Sequence, residues 1–500
     1  MTSCVCRIRW PLPSPFDPRL STAHLFSDDV VGLIGDHVEQ FAVVHHAPGI
    51  VWGLVANGEL SRWGATGQPY EGANYAPNHY TLYRIASMTK SFTAAAVLLA
   101  RDRGLLALDD PVVRHVAQLR SAALTTDAAE LTVRHLLTMA SGLATDDAWA
   151  DRHLHATAAE MDALFGAGAT SATSPGTALV YSNYGYAILG RVLESVTGMR
   201  AQDFITTELL LPLKMRYTVW QSNELPVDLV VAPPYRWLDD GVVAEPEPLG
   251  DGGFATMGGL WTTMGDLAKW VAFLCDGFPA RDGVDDGPLC RASRRELQQV
   301  WRDEPLTVKQ SEAGRTRVSS SGYGMGVVVT HDLDFGFMVS HGGGLPGYGS
   351  HMRWLPDRGV GVMCMANITY ARMGDLSLEL LELLHANAAL PAPRQVDTPN
   401  LTAAVGSLVG LLNHWDNDVA GALFADNVFL DDSADRRRAV AAALAAEHGP
   451  LVITELTVRN TCEGTAVLNA GVATLEVQLS PHVQPLVQFY ELTPSDMIPR

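Results

Sequence analysis

The chain has 500 residues, 47% of them hydrophobic and 18% charged, and a formal charge of −20. That length is too great for one compact core, so two or three domains are expected, and the composition is that of a well-buried globular protein. The acidic balance argues against nucleic acid and anionic membrane as partners, and no run of about twenty apolar residues reads as a membrane span.

Residues 1–27 read as a poorly structured arm. Met1 to Phe16 is interrupted by Pro11, Pro13 and Pro15, so it does not read as a signal peptide, and the expected location is cytoplasmic. Cys4, Cys6, Cys275, Cys290, Cys364 and Cys462 are scattered, with no Cys-x-x-Cys pair, which fits reduced thiols rather than a disulfide framework or zinc site. Ser27 to His45 is expected to be helical. Gly49–Ala56 and Glu59–Gly64 flank Asn57-Gly58, a strong hairpin signal. A helix follows from Ser87 to near Gly104, then a short one at Leu131–Met139 and alternating helices and loops over 150–215. Thr263–Cys275 and Ala292–Trp301 complete a helical middle. Strand patterns then take over at Tyr323–Thr330, Phe335–Ser340, Tyr348–Leu355 and Gly359–Ala366, and a helix closes the region at Leu376–Ala389. The two β parts, distant in sequence, are expected to join in one antiparallel sheet beside the helical lobe.

Pro391-Ala392-Pro393 reads as a linker, and the first domain is expected to span 28–390. From 398 to 500 helices precede four strands, a small α+β domain similar to the nuclear-transport-factor-2 or cystatin-like folds, with a small β-barrel as the alternative. It carries no catalytic motif and is expected to cover a cleft or mediate dimerisation.

Chemistry concentrates at Ser87-Met88-Thr89-Lys90. The chain has only four lysines (Lys90, Lys214, Lys269 and Lys309), with arginine at nearly every other basic position. Arginine cannot deprotonate and lysine can, so a lysine here is a better base candidate than usual. Three residues apart, Ser87 and Lys90 share a helix face, and a desolvated amine can take the hydroxyl proton. Taken alone, the pair could equally be a capping serine and a surface lysine. Two further stretches accompany it: Tyr181-Ser182-Asn183 after Pro175-Gly176, and His341-Gly342-Gly343-Gly344. A phosphate-cradling reading of the glycines lacks the following Lys-Ser/Thr. Several other residues suit plain structural roles: His45-His46 without a third ligand, His135 as a buried helix histidine, Asp109-Asp110-Pro111 as a cap and turn, and Met88 and Phe92 as core.

In that order and spacing the three stretches resemble the serine β-lactamase-like hydrolases: class C β-lactamases, penicillin-binding D,D-peptidases, D-aminopeptidases and esterases of that fold. The resemblance covers about residues 28–390, including Leu131–Leu143, Phe204–Thr218 and Gly252–Trp270. It implies an α/β (α+β) β-lactamase/transpeptidase-like domain in which Ser87 is the nucleophile and Lys90 its base. Tyr181 would shuttle the proton to the leaving group, its phenol held below the usual range by the lysine ammonium. Asn183 would bind the substrate carbonyl or orient Lys90. The glycine run would form an edge strand close to the substrate, with the N–H groups of Ser87 and Gly344 as the oxyanion hole and His341, Gly342 and Gly343 lining the site.

His341-Gly342 departs from the Lys-Thr/Ser-Gly of β-lactamases and offers neither a permanent cation nor a hydroxyl for a drug carboxylate. A neutral His341 suits an uncharged ester or amide, and a protonated one could hold an anion weakly. The expected activity is hydrolysis of small esters or amides, esters slightly favoured because no carboxylate is obviously aimed at an α-ammonium. No metal or organic cofactor is called for, and a homo-oligomer is left open. The alternatives are acyl transfer by the same residues and a non-catalytic scaffold.

Overall fold

Ser27 opens the first helix, its hydroxyl accepting from Val30 N at 3.4 Å, and α1 runs Asp28–Val44 with Asp28 and Asp29 complementing the dipole at its start. The computed structural model describes residues 25–495 except 71, 120, 123–126, 225–228, 240, 247–249, 311–315 and 395–397. The arm up to residue 24, with Cys4 and Cys6, lies outside the described residues.

Strands β1 (Gly49–Ala56) and β2 (Glu59–Gly67) form the expected hairpin, and Asn57 and Gly58 both take the positive φ that its tight turn demands. The helical middle contributes α2 (Thr89–Asp102), α3 (Asn183–Thr197) and α4 (Met264–Cys275). Then come β3 (Thr307–Gln310), β4 (Thr316–Tyr323), β5 (Val328–Asp332), β6 (Gly336–Leu345), β7 (Tyr348–Leu355) and β8 (Val360–Ala366), followed by α5 (Met373–Ala386). The strands join in the order β3-β4-β5-β6-β7-β8-β1-β2, with Arg302–Asp303 pairing beside β4. Ile50 stands opposite Ala366, so the two sequence-distant β parts do close into one antiparallel sheet.

β1 has no polar residue because both its faces are buried. Val51 and Val55 pack with Met363 and Met365 into the core shared with α2 and α4. Ile50, Trp52, Leu54 and Ala56 pack with Val362 and Cys364 against α1 and α5. The sheet is thus sandwiched between helices, with the helical lobe on the α2 side.

One strand differs from expectation. Tyr323–Thr330 is not continuous: the chain bends at residues 324–327 between β4 and β5. Gly326 has φ +74° there, and a Cβ on it would sit 2.5 Å from the Lys90 carbonyl oxygen. The bend is where α2 presses into the sheet, a tertiary contact that local patterning does not carry.

Residues 276–286 and 392–500 form a second compact unit. Helices α6 (Pro399–Asn413) and α7 (Ala434–His448) precede a meander of β9 (Ile453–Asn460), β10 (Glu463–Leu468), β11 (Ala473–Leu479) and β12 (Val487–Pro494). Leu401, Val405, Leu408, Ala466, Leu475 and Val477 lie in its core. Among the described residues β9 and β12 do not pair with each other, so the sheet is open and not a closed barrel.

Candidate active site

The short strand Tyr83–Arg84 pairs with Trp261–Thr262, and Ile85 N donates to Leu260 O at 3.0 Å, which anchors the chain just before the nucleophile candidate. Ala86 then takes φ +50°, unusual for a residue with a Cβ. A single 3₁₀ turn, Ala86–Met88, leads into α2. Across residues 81–100 every residue is buried except Ser87, which the strained turn lifts to partial exposure.

Lys90, one turn on, is fully buried. Its Nζ lies 2.9 Å from Ser87 Oγ, 2.6 Å from Asn183 Oδ1 and 2.8 Å from the Met257 carbonyl oxygen. Burial brings its pKa down to about 7, against the opposing pull of Asp147, Asp151 and Asp146.

Ser182 caps α3 by accepting from Gly185 N, which sets Asn183 in the first turn. Asn183 is fully buried, accepts from Lys90 and donates from Nδ2 to Asp147 Oδ1 at 2.6 Å. Of the two roles expected for Asn183, this placement matches orientation of the lysine. Tyr181 presents its ring 4.9 Å from Lys90 Nζ and hydrogen-bonds Ser87. Its phenol is not held low as expected. Burial pushes it well above the ordinary range, and nearby Asp147 adds to the shift. Desolvation dominates, and at the high pH where a phenol ionises Lys90, with its pKa of about 7, has already lost its charge.

The glycines lie in β6. Leu345 and Tyr348 close a two-residue turn, so the hydrogen-bonded pairs with β7 are 345/348, 343/350 and 341/352. Gly342 and Gly344 therefore turn their backbone groups to the other side. By sheet order β6 is interior, but β5 begins only at Val328, opposite Ser340, so, among the described residues, 341–345 have a free edge. The expected edge strand exists only over this half. Gly343 faces the Ser87 turn: a Cβ on it would lie 2.1 Å from Ile85 O. Gly344 is covered on its opposite face by the Tyr370 ring.

His341 does not present a free nitrogen to substrate. It is 4% exposed, its Nδ1 donates to Gly342 O at 2.6 Å, and its Nε2 accepts from Tyr323 OH at 3.1 Å. Burial, with Lys90 nearby, lowers its pKa to about 3, so the ring is neutral. Four further groups at the site carry no motif. Asp146 accepts from Asn183 N and Tyr184 N, Asp147 holds Asn183, and Asp151 accepts from Tyr370 OH at 2.8 Å. The acidic run Asp146-Asp147 just after Ser141-Gly142-Leu143 was the available signal for two of them.

A model of the beta-lactamase family matches residues 34–386. The chain belongs to that family. Among curated family members it is 28% identical over 282 residues to penicillin-binding protein 4* of Bacillus subtilis, covering 54% of this chain and 57% of that protein. It is 27% identical over 376 residues to penicillin-binding protein 4 of Amycolatopsis lactamdurans, covering 71% and 92%. The match to Protein flp of Staphylococcus aureus, 25% identical, covers 65% and 60%. The chain thus spans less than two thirds of the length of the Bacillus and Staphylococcus relatives. An octameric penicillin-binding protein homologue from Pyrococcus abyssi shares the fold at a TM-score of 0.61 and 21% identity, over 93% of this chain and 90% of that one. A D-stereospecific amidohydrolase from a Streptomyces species does so at 0.54 and 23%, over 69% and 97%.

Within this beta-lactamase family chain, the third motif is a structural histidine buried under a tyrosine, and three carboxylates, Asp146, Asp147 and Asp151, act on Lys90. No helix among the described residues is long and apolar enough to cross a membrane.

Proposed function

We propose that the protein hydrolyses small esters or amides through an acyl-Ser87 intermediate. The observation that carries this is the 2.9 Å contact between Ser87 Oγ and a buried Lys90 whose pKa lies at about 7. A neutral amine has two N–H donors and one lone pair. Asn183 Oδ1 and Met257 O take the donors, which leaves the lone pair for the Ser87 hydroxyl. As Oγ bonds to the carbonyl carbon, its proton passes to Lys90. The oxyanion falls to the N–H groups of Ser87 and Gly344, the first without a partner among the described residues and the second turned to the free edge. Tyr181, protonated in the resting site, donates to the leaving group as the C–O or C–N bond breaks and is reprotonated from Lys90. Water then reverses the path and frees the acid.

The slight preference for esters rested on the lack of a carboxylate near the site, and Asp147 and Asp151 remove that reason. The Streptomyces amidohydrolase likeness likewise supports keeping amides in scope. A penicillin is expected to acylate slowly, because neutral His341 offers its carboxylate no cation. The octameric relative supports assembly of several copies, which sedimentation would show as a mass well above 53.8 kDa.

Incubating the protein with p-nitrophenyl esters and amino-acid p-nitroanilides should give turnover and a mass adduct on the peptide bearing Ser87. Folded protein showing neither would end the hydrolase reading. The rate should also report Lys90: kcat/KM is expected to rise with pH through about 7 as the amine loses its proton. Asp147→Asn removes a charge that raises the lysine pKa, so the acid limb should move to lower pH. A shift the other way would contradict the assignment of that limb to Lys90.

A further inference from the structure

Asp151 directly follows the short helix Asp147–Ala150 and is 6% exposed. Its Oδ2 accepts from Tyr370 OH, and its Oδ1 has no partner among the described residues, yet is not sealed among the buried atoms. Tyr370 ties this carboxylate to the reaction centre. Its ring packs on Gly344, where a Cβ would come within 2.7 Å of Cδ1, and its phenol reaches Asp151 across a separation of 219 residues. Tyr370 is held at φ +51°, a backbone strain that fixes the ring over the glycine edge.

The charges around this point are lopsided. Asp146, Asp147 and Asp151 all act on Lys90, which is mostly uncharged above pH 7, and His341 is neutral. Arg152 acts on Tyr370 but is itself exposed. Among the described residues Asp151 has no cation as a hydrogen-bonded partner, and a buried carboxylate in that position is costly. The expense is consistent with a charge kept for a ligand.

We propose that Asp151 is the specificity-determining residue of the site, and that the preferred substrates carry an ammonium or guanidinium group within a few bonds of the scissile carbonyl. This rests on the hydrolase reading above and names the substrate class for it. Tyr370 orients the carboxylate through Oδ2 and leaves Oδ1 for the cation. Burial raises the Asp151 pKa to about 6, so selectivity for cations should grow as pH rises through that value. Comparing cationic with neutral substrates at each pH cancels the titration of Lys90, whereas Asp146, Asp147 and Arg152 also act on the cationic series, so the difference between the native protein and Asp151→Asn at each pH isolates the share of Asp151.

The test uses three matched p-nitroanilide or p-nitrophenyl ester series built on alanine: free amino, N-acetyl and N-succinyl. For the full-length protein at pH 7, kcat/KM for the free-amino substrate should exceed the N-acetyl one at least tenfold, with the N-succinyl one slowest. Asp151→Asn should cut the cationic-to-neutral ratio about tenfold, chiefly through KM. Tyr370→Phe, which keeps the carboxylate, should retain a higher ratio than Asp151→Asn. An unchanged ratio in Asp151→Asn, or a native protein that prefers the neutral or anionic series, overturns the proposal. Should Asp151→Asn not fold, the native ratio and its rise between pH 5.5 and 7 still decide. Failure of the hydrolase reading looks different: no series would leave an acyl group on Ser87.

Discussion

Lys90→Met and Lys90→Arg should each lower kcat/KM by about 10³–10⁴-fold, the scale of a lost general base. Methionine fills much of the lysine volume but offers no lone pair to the Ser87 proton. Arginine retains a charge that never leaves at accessible pH and cannot act as a base. Both replacements disturb a packed site, since Asn183 Oδ1 and Met257 O lie 2.6 and 2.8 Å from Nζ. Leaving those two acceptors unpaired costs about 1–3 kcal/mol each, offset by removal of a buried amine. Thermal melts should therefore move far less than activity. Pre-steady-state release of p-nitrophenol is the sharper readout, because it isolates acylation. If either variant kept activity within tenfold of the native protein, Lys90 would not be the base.

Gly343→Ala should be nearly as damaging without touching a titratable group. The added methyl would sit 2.1 Å from Ile85 O, 2.4 Å from Ser350 Oγ and 3.1 Å from Ala86 Cβ. Relief is blocked, because Ser350 Oγ already donates to Ile85 O at 2.8 Å and ties β7 to the same turn. The strand and the nucleophile's turn must separate, which spoils the spacing between Ser87 and the Gly344 N–H. A loss of at least about 100-fold in kcat/KM is expected, with destabilisation of about 2–4 kcal/mol. Gly35→Ala in α1 is the matched control. Outside the backbone of its own helix no atom lies within 4 Å of its added methyl, so helix propensity should raise stability by about 0.5–1 kcal/mol and leave turnover unchanged. Comparable turnover in Gly343→Ala would show that the close approach of β6 is not needed.

The sequence was most legible where chemistry demands a fixed spacing. Ser87 and Lys90 share a helix face, and the scarcity of lysine singled out Lys90. The Asn57-Gly58 hairpin and the antiparallel closure of β1 on β8 were readable from turn chemistry and the two separated β parts. Properties set by burial depth were not legible. The Tyr181 phenol is pushed up rather than down, and His341 is consumed by Tyr323 and its own strand, because both depend on how completely the site is desolvated. Asp151 and Tyr370 meet across 219 residues on loops without a pattern, and no local signal marks such a pair. The bend at 324–327 leaves no local pattern for the same reason: the contact at Gly326 is with the Lys90 carbonyl, far away in the chain.

The pairing of β1 with β8 also sets a clock on biosynthesis. Ile50 emerges early, yet its partner Ala366 is made only after most of the domain has been translated. At ordinary elongation rates of about 5–20 residues per second, that interval is of the order of tens of seconds. Throughout it, a strand whose eight residues are all buried in the finished fold has one edge open and the face toward α5 covered by α1 alone. The hairpin with β2 covers only the other edge. The nascent chain is thus a client for holding chaperones, and ribosome-bound fragments ending before residue 360 should aggregate where the released full-length chain does not.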